Sequence, residues 1–82
     1  MRTRARQGYL MIERLTIVRE SIESGFYPSA TLLRKRVMDK LGTAVSLPTL
    51  YRDLNFLRDR CGVNIKYDSY KQGYYIEAAE SN

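Results

Sequence analysis

The polar side chains that could carry chemistry are concentrated in the segment 46–58, SLPTLYRDLNFLR. Its hydroxyl, guanidinium and carboxamide groups can form hydrogen bonds with a polyanion or with base edges. The sequence offers few side chains for acid–base catalysis or metal binding, because the chain contains no histidine and a single cysteine, Cys61. The usual zinc ligand sets, histidine-based triads and an internal disulfide are therefore excluded. The sequence predicts recognition by hydrogen bonds and charge, with no metal, no cofactor and no enzymatic activity.

Composition favours one small globular domain, since the 82 residues are 44% hydrophobic and 28% charged. No apolar run approaches the roughly 20 residues of a transmembrane helix, and the first ten residues lack the apolar stretch of a secretory signal. We therefore expect a cytoplasmic protein without a membrane partner. Fourteen lysines and arginines against nine acidic residues give a net charge of +5, which favours a polyanionic partner.

Three helices are predicted to position the polar groups. The first spans about residues 9–24 and has an apolar stripe at helical spacing: Met11, Leu15, Val18 and Ile22. Gly25 is predicted to end this helix, and Pro28 predicts that the residue before it is extended. The second helix follows the capping residue Ser29 and ends at Gly42. It carries four cations that are predicted to face largely toward water: Arg34, Lys35, Arg36 and Lys40.

The third helix covers about residues 46–60, with Ser46 as its cap and Pro48 in its first turn. Its predicted buried stripe has steps of four, three and four: Leu50, Leu54, Leu57 and Cys61. After Gly62, apolar and polar residues alternate as in a strand with one buried face, which places Tyr67 in the core together with Tyr74 of a second strand. These elements predict a mainly α winged helix-turn-helix over residues 9–77, with a two-stranded wing at 63–77, a flexible basic arm at 1–8 and a tail at 78–82.

Two motifs carry a family resemblance. SLPTLYRDLNFL at 46–57 fits S-x-x-T-x-x-R-D-x-x-x-L, and GVNIKYDSYKQGYYI at 62–76 is similar to G-x-x-I-x-Y-D…G-Y-x-I. Together they resemble the N-terminal winged helix of the WYL-domain and DeoR-type bacterial transcriptional regulators. The resemblance implies that the third helix binds the DNA major groove, that the wing follows the backbone, and that the protein acts at the nucleoid. In that family a downstream domain senses a ligand and often mediates dimerisation. No such sensor is found in these 82 residues, so we expect either a single-domain regulator or the DNA-binding part of a larger one.

The candidate DNA contacts lie mainly on the predicted exposed face of the third helix. Arg52 can bind a guanine or a phosphate, and the alternative is an ordinary solvated arginine. Asp53 borders the buried stripe and would repel phosphate, so it is predicted to be the structural partner of a basic group. Asn55 is a possible adenine reader, and the arm could enter a minor groove. The other candidates are Ser46, Leu47, Pro48, Thr49 and Tyr51 on the helix, Lys66 and Lys71 on the wing, and Arg2, Arg4 and Arg6 on the arm.

Two alternatives to duplex binding remain open. Winged helices also serve as protein-docking modules, and an exposed apolar patch could include Leu47, Pro48, Tyr51 and Phe56. The tyrosine-rich wing could instead bind single-stranded nucleic acid by stacking. A homodimer formed through the apolar surface of the first helix, which Ile12 and Ile17 widen, is compatible with DNA binding and with docking.

Overall fold

The computed structural model describes the backbone of residues 3–78 and the side chains of residues 10–78. Three helices precede a two-stranded antiparallel hairpin: α1 (Thr3–Glu23), α2 (Ala30–Leu41), α3 (Leu47–Asp59), β1 (Ile65–Asp68) and β2 (Gly73–Ile76). The predicted winged helix-turn-helix fold is confirmed. Over these residues, no helix combines the length and the hydrophobicity that a membrane span requires.

The first helix begins earlier than its apolar stripe indicates. Its first residue is Thr3, so the backbone of residues 3–8, which the sequence assigns to an arm, belongs to α1. The residues between Thr3 and Gly8 include Arg, Ala and Gln, which have high helix propensity, and none of them stops a helix. Outside the described part of the chain lie Arg2, the side chains of Arg4 and Arg6, and residues 79–82 of the predicted tail.

A single core joins the three helices to the wing. All three helices contribute apolar residues to it, and removing these side chains from water is the main driving force for folding. The buried apolar residues are Val18, Ile22, Leu33, Val37, Val45, Leu50, Leu54, Leu57, Val63 and Ile65. Because three of them are the leucines of α3, the opposite side of this helix is left toward solvent.

The predicted caps are confirmed at both ends of α2 and at the start of α3. The Ser29 hydroxyl accepts a hydrogen bond from the Leu32 amide at 3.1 Å, and the Ser46 hydroxyl accepts one from the Thr49 amide at 3.3 Å. Gly42 adopts the left-handed conformation that ends α2, with φ of 68°. The hydrogen bond to the Ser46 hydroxyl therefore fixes the residue at which α3 begins.

The prediction that Cys61 completes the buried stripe of α3 is wrong. The helix ends at Asp59, Arg60 is its C-cap, and Cys61 is exposed. Helical spacing no longer applies beyond the cap, so the position one turn after Leu57 is not on the helix at all. The chain turns there, and Val63 is the next buried residue.

The two strands of the hairpin are buried to different extents, β2 more than β1. Ile65 pairs with Ile76 and is buried, whereas Tyr67, which pairs with Tyr74, is 53% exposed. The prediction that Tyr67 lies in the core is therefore wrong, because β1 is the more exposed of the two strands and alternation alone does not show whether other elements cover a strand. Tyr74 packs against the core, and its ring meets that of Tyr67 edge to face with centroids 5.0 Å apart.

The wing docks on the connector between α1 and α2. The Tyr74 amide donates a hydrogen bond to the Pro28 carbonyl at 2.9 Å, and the Lys71 ammonium lies 4.6 Å from the centroid of the Tyr27 ring. Gly73 passes so close that a Cβ atom there would overlap the Tyr27 carbonyl group. Tyr27 has φ of 55°, so the prediction of an extended residue before Pro28 is wrong. The docked wing therefore imposes on Tyr27 a backbone conformation that differs from the extended one preferred by a residue before proline.

Candidate nucleic-acid interface

A buried ion pair sets the orientation of α3. Arg14 of α1 donates to Asp53 through two nitrogens, with Nε–Oδ2 and Nη2–Oδ1 distances of 2.5 and 3.0 Å. The Asp53 side chain is 4% exposed and that of Arg14 is 21% exposed. The hydrogen bond to Asp53 raises the pKa of Arg14, burial acts in the opposite direction, and the negative charge of Asp53 adds to the increase. The structural role predicted for Asp53 is confirmed, and the pair resists rotation of α3 about its axis.

With Asp53 turned inward, the remaining polar residues of α3 face outward. Arg52 and Asn55 are exposed, and Tyr51 is 46% exposed. At about 100° per residue, Pro48, Arg52 and Asn55 lie near the middle of the side opposite the core. The face that the sequence predicts to be exposed is therefore exposed in the structure.

Polar side chains recur every three residues from the N-cap of α3 to its last turn, and each step shifts the position by about 60° around the axis. We call this set the polar row: Ser46, Thr49, Arg52, Asn55 and Arg58. The Ser46 hydroxyl and the Arg52 Nη2 both donate to Oγ1 of Thr49, at 3.1 and 3.3 Å. Arg58 Nη1 donates to Oδ1 of Asn55 at 3.1 Å. Side chains three apart are neighbours on a helix, so this spacing brings each pair into contact.

The hydrogen bonds inside the polar row use the hydroxyl hydrogen of Ser46 but leave donors free on Thr49, Arg52, Asn55 and Arg58. Thr49 Oγ1 accepts twice, which leaves its own hydrogen available to an outside acceptor, and the carboxamide oxygen of Asn55 accepts from Arg58. Guanidinium groups have no acceptor, so Arg52 and Arg58 can only donate. Phosphate oxygens and the acceptor atoms of bases are the chemical complement of such a surface.

Charge on the exposed surface of α3 and its C-cap is net positive. Arg52, Arg58 and Arg60 are exposed, and Asp59 is the exposed acidic residue, so three positive charges and one negative charge give +2. Asp59 received no role from the sequence, although a spacing of four residues from Asn55 places it on the same side of the helix. Its carboxylate would repel phosphate at the C-terminal end of α3, which favours use of the N-terminal turns.

The wing is attached to α3 through Arg58. Its Nε donates to the Ile65 carbonyl at 3.1 Å, so one guanidinium contacts both the polar row and β1. Tyr74 lies at the same junction. Burial raises the pKa of Tyr74, the nearby hydroxyls of Tyr51 and Tyr67 add to the increase, and the positive charge of Arg58 opposes it. Sequence reasoning gave Arg58 no individual role, although its spacing of three from Asn55 was a visible signal.

The tip of the wing is shaped by Asp68. Its Oδ1 accepts the amides of Tyr70 and Lys71, at 2.9 and 3.0 Å, which is the contact that lets an aspartate organise a turn. Both candidate lysines already have partners within the chain. Lys66 Nζ lies 3.3 Å from the carboxylate of Glu77, and Lys71 lies over an aromatic ring. Both are nevertheless exposed, so they remain accessible to solvent.

The apolar candidates on α3 do not share one side of the helix. Leu47 is partly buried and packs against the core, while Pro48 is exposed. Tyr51 and Phe56 are five residues apart, which separates them by about 140° around the axis. They flank the polar row on different sides instead of forming one surface with it.

The cations of α2 are not all free. The prediction that Arg34 faces water is wrong, because its Nε donates to the Val45 carbonyl at 2.6 Å and the contact is partly buried. Lys35 forms an exposed pair with Asp39 at 3.2 Å, while Arg36 and Lys40 are exposed. Arg34 therefore holds the segment between α2 and α3, which is where the polar row begins.

Among the described side chains, no three histidine, cysteine, aspartate or glutamate residues come together as a metal site would require. Comparisons of the chain with protein-family models, with curated proteins and with solved structures found no match in any of the three. The resemblance to WYL-domain and DeoR-type regulators rests on the two sequence motifs alone.

Proposed function

We propose that this chain binds double-stranded DNA in a sequence-specific manner, as the DNA-binding part of a bacterial transcriptional regulator of the WYL-domain or DeoR type. In this proposal α3 enters the major groove, the wing lies along the neighbouring backbone, and the protein acts at the nucleoid. The observation that carries the proposal is the polar row, a largely exposed series of polar side chains that leaves free donors on Thr49, Arg52, Asn55 and Arg58.

An α-helix with an exposed polar side is an element that the major groove accommodates. That groove is about 12 Å wide and admits one α-helix, whose first turns reach the base edges. Arg52 is assigned a guanine or phosphate contact and Thr49 a phosphate contact, and Ser46, which donates its hydroxyl hydrogen to Thr49, is assigned the role of orienting that contact. Pro48 and Tyr51, which lie beside them and are weak in donors, are assigned apolar contacts with thymine methyl groups.

Charge predicts how binding responds to salt. If α3 and the wing together neutralise about four to six phosphates, the logarithm of the affinity should fall with the logarithm of salt concentration with a slope near −4 to −5. A homodimer on two half-sites would roughly double this slope. Ile12 of α1 is 61% exposed, which provides apolar surface for a second copy.

The test is a selection of bound sequences from a random duplex pool, followed by affinity measurements on the selected duplex. We expect Arg52→Ala to weaken specific binding by about 1 to 3 kcal/mol while thermal unfolding hardly changes, because the side chain is exposed. Lys35→Ala is the matched control, since it removes an exposed positive charge from α2 with little effect on stability. Unchanged affinity in Arg52→Ala, or salt-insensitive binding, would contradict the proposal.

The second candidate function is single-strand binding through the wing. Tyr70 is 94% exposed and Tyr67 is 53% exposed, so both rings are available for stacking on bases. Competition between the selected duplex and either of its separated strands distinguishes the two functions. Preferential displacement by a single strand would favour the wing, and preferential displacement by the duplex would favour α3.

A further inference from the structure

We infer that Arg58 is a positioning residue that sets the base preference of Asn55, so that Asn55 favours guanine over adenine. The inference rests on the proposed function and concerns one base pair of the site. It changes the sequence-based interpretation of Asn55, whose residue type by itself suggests adenine.

The contacts of Arg58 fix both partners. Its Nη1 lies 3.1 Å from Oδ1 of Asn55, and its Nε lies 3.1 Å from the Ile65 carbonyl oxygen. Because a guanidinium only donates, the atom of Asn55 that it contacts must be the carboxamide oxygen. The orientation of the carboxamide follows from this contact. The second hydrogen bond, to the backbone of β1, holds the guanidinium itself in place.

This arrangement disfavours adenine recognition. A bidentate contact with adenine requires the carboxamide oxygen to accept from the N6 amino group while the nitrogen donates to N7. In this chain the oxygen already accepts from a positively charged donor, which repels the amino hydrogens of adenine or cytosine. The groups of Asn55 that remain free are the two hydrogens on Nδ2. Guanine presents acceptors in the major groove, N7 and O6, and is therefore the base that Asn55 suits in this orientation.

The experiment compares sequences selected from a random duplex pool by the wild type, Asn55→Ala and Arg58→Met. Asn55→Ala identifies the base pair that Asn55 contacts, because the selected sequences should lose their base preference at that position. At that pair we expect the wild type to favour guanine over adenine. Arg58→Met should shift the ratio of guanine to adenine toward adenine by about fivefold or more, which is the lower end of the discrimination that a bidentate contact provides. Methionine keeps most of the apolar stem of arginine and removes its donors.

The double variant Asn55→Ala with Arg58→Met separates indirect from direct action. If Arg58 acts through Asn55, the double variant should match Asn55→Ala at that base pair. If Arg58→Met alters the preference equally with or without Asn55, then Arg58 reads the base itself and the inference is overturned. A wild type that favours adenine at that pair would also overturn it.

Arg58→Lys provides the conservative comparison and replaces Arg58→Met if that variant does not fold, which a thermal unfolding measurement decides. Lysine keeps the positive charge but lacks the planar guanidinium that donates to two acceptors at once. We therefore expect a smaller shift toward adenine than in Arg58→Met. If the wild type selects no duplex, the proposed function fails and this inference fails with it. If it selects a duplex and the Arg58 variants leave the preference unchanged, only this inference fails.

Discussion

Removal of Arg14 should destabilise the protein more than neutralisation of its partner Asp53. The two side chains form one ion pair but differ in their access to water, with 21% of the Arg14 side chain exposed and 4% of the Asp53 side chain. In Arg14→Met a buried carboxylate loses its counter-charge and both hydrogen-bond donors. In Asp53→Asn the arginine can turn toward solvent, and the amide still offers it one acceptor.

The expected magnitudes follow from this asymmetry. Leaving a buried charge without its partner costs about 3 to 5 kcal/mol, so Arg14→Met is expected in this range. Losing one hydrogen bond of a partly exposed group costs about 1 to 2 kcal/mol, which is the expectation for Asp53→Asn. A chain of 82 residues has a free energy of unfolding of roughly 4 to 12 kcal/mol. Arg14→Met should therefore remove a large share of the total.

Urea unfolding followed by circular dichroism measures the free energy of unfolding of both variants. The slope of this free energy against urea concentration confirms that the same surface is exposed on unfolding. The double variant Arg14→Met with Asp53→Leu is the control. It removes both charges, so it should be more stable than Arg14→Met alone. The reasoning would be refuted if Asp53→Asn proved the more destabilising of the two single variants, or if Arg14→Met changed the free energy of unfolding by less than about 1 kcal/mol.

Three further outcomes are expected. Gly73→Ala should destabilise the fold by about 3 kcal/mol or more in thermal unfolding, since the added methyl group overlaps the Tyr27 carbonyl and the wing must move; a smaller loss would show that the wing adjusts easily. Ser29→Ala and Ser46→Ala should each cost about 1 kcal/mol of stability through loss of a cap, but only Ser46→Ala should also weaken duplex binding, and equal binding by both would argue against a role for Ser46. Cys61 should react fully with a thiol reagent in the native protein, as its exposure requires, and protection in the native state would contradict its position.

The positions of α2 and α3 were predictable because their signals are local. A serine that accepts an amide of the first turn, or a glycine that adopts a left-handed conformation after the last turn, acts within four residues of the helix end. The buried leucines of α3 follow from helical spacing for the same reason. The exposed position of Arg52 could be derived from these leucines, because a helix that buries one side must expose the other.

The errors arise where distant parts of the chain meet. Tyr27 adopts a left-handed conformation beside a docked wing, and Arg34 turns toward a carbonyl that belongs to the next connector. Tyr67 follows the alternation of a buried strand but lies on β1, the more exposed strand of the wing. Cys61 follows a helical spacing that the capped end of α3 interrupts. Each expectation came from a local pattern, either periodicity or the preference of a residue before proline, and such a pattern does not show where an element ends or what packs against it.

The two contacts that hold α3 on its flanks suggest why its outer surface can be selective. Leucine packing alone determines the rotation of a helix poorly, since apolar cores tolerate many arrangements of similar volume. The Arg14–Asp53 pair connects one flank to α1, and the bond from Arg58 to the Ile65 carbonyl connects the other flank to the wing. Asp53 and Arg58 are five residues apart, so the two attachments lie about 140° apart around the axis. Rotation of α3 in either direction must break at least one of them. A helix held in this way keeps its donors in position before any partner arrives, which reduces the entropy lost on binding. We therefore expect variants of either attachment to reduce discrimination between sequences more than they reduce the salt-dependent affinity for DNA in general.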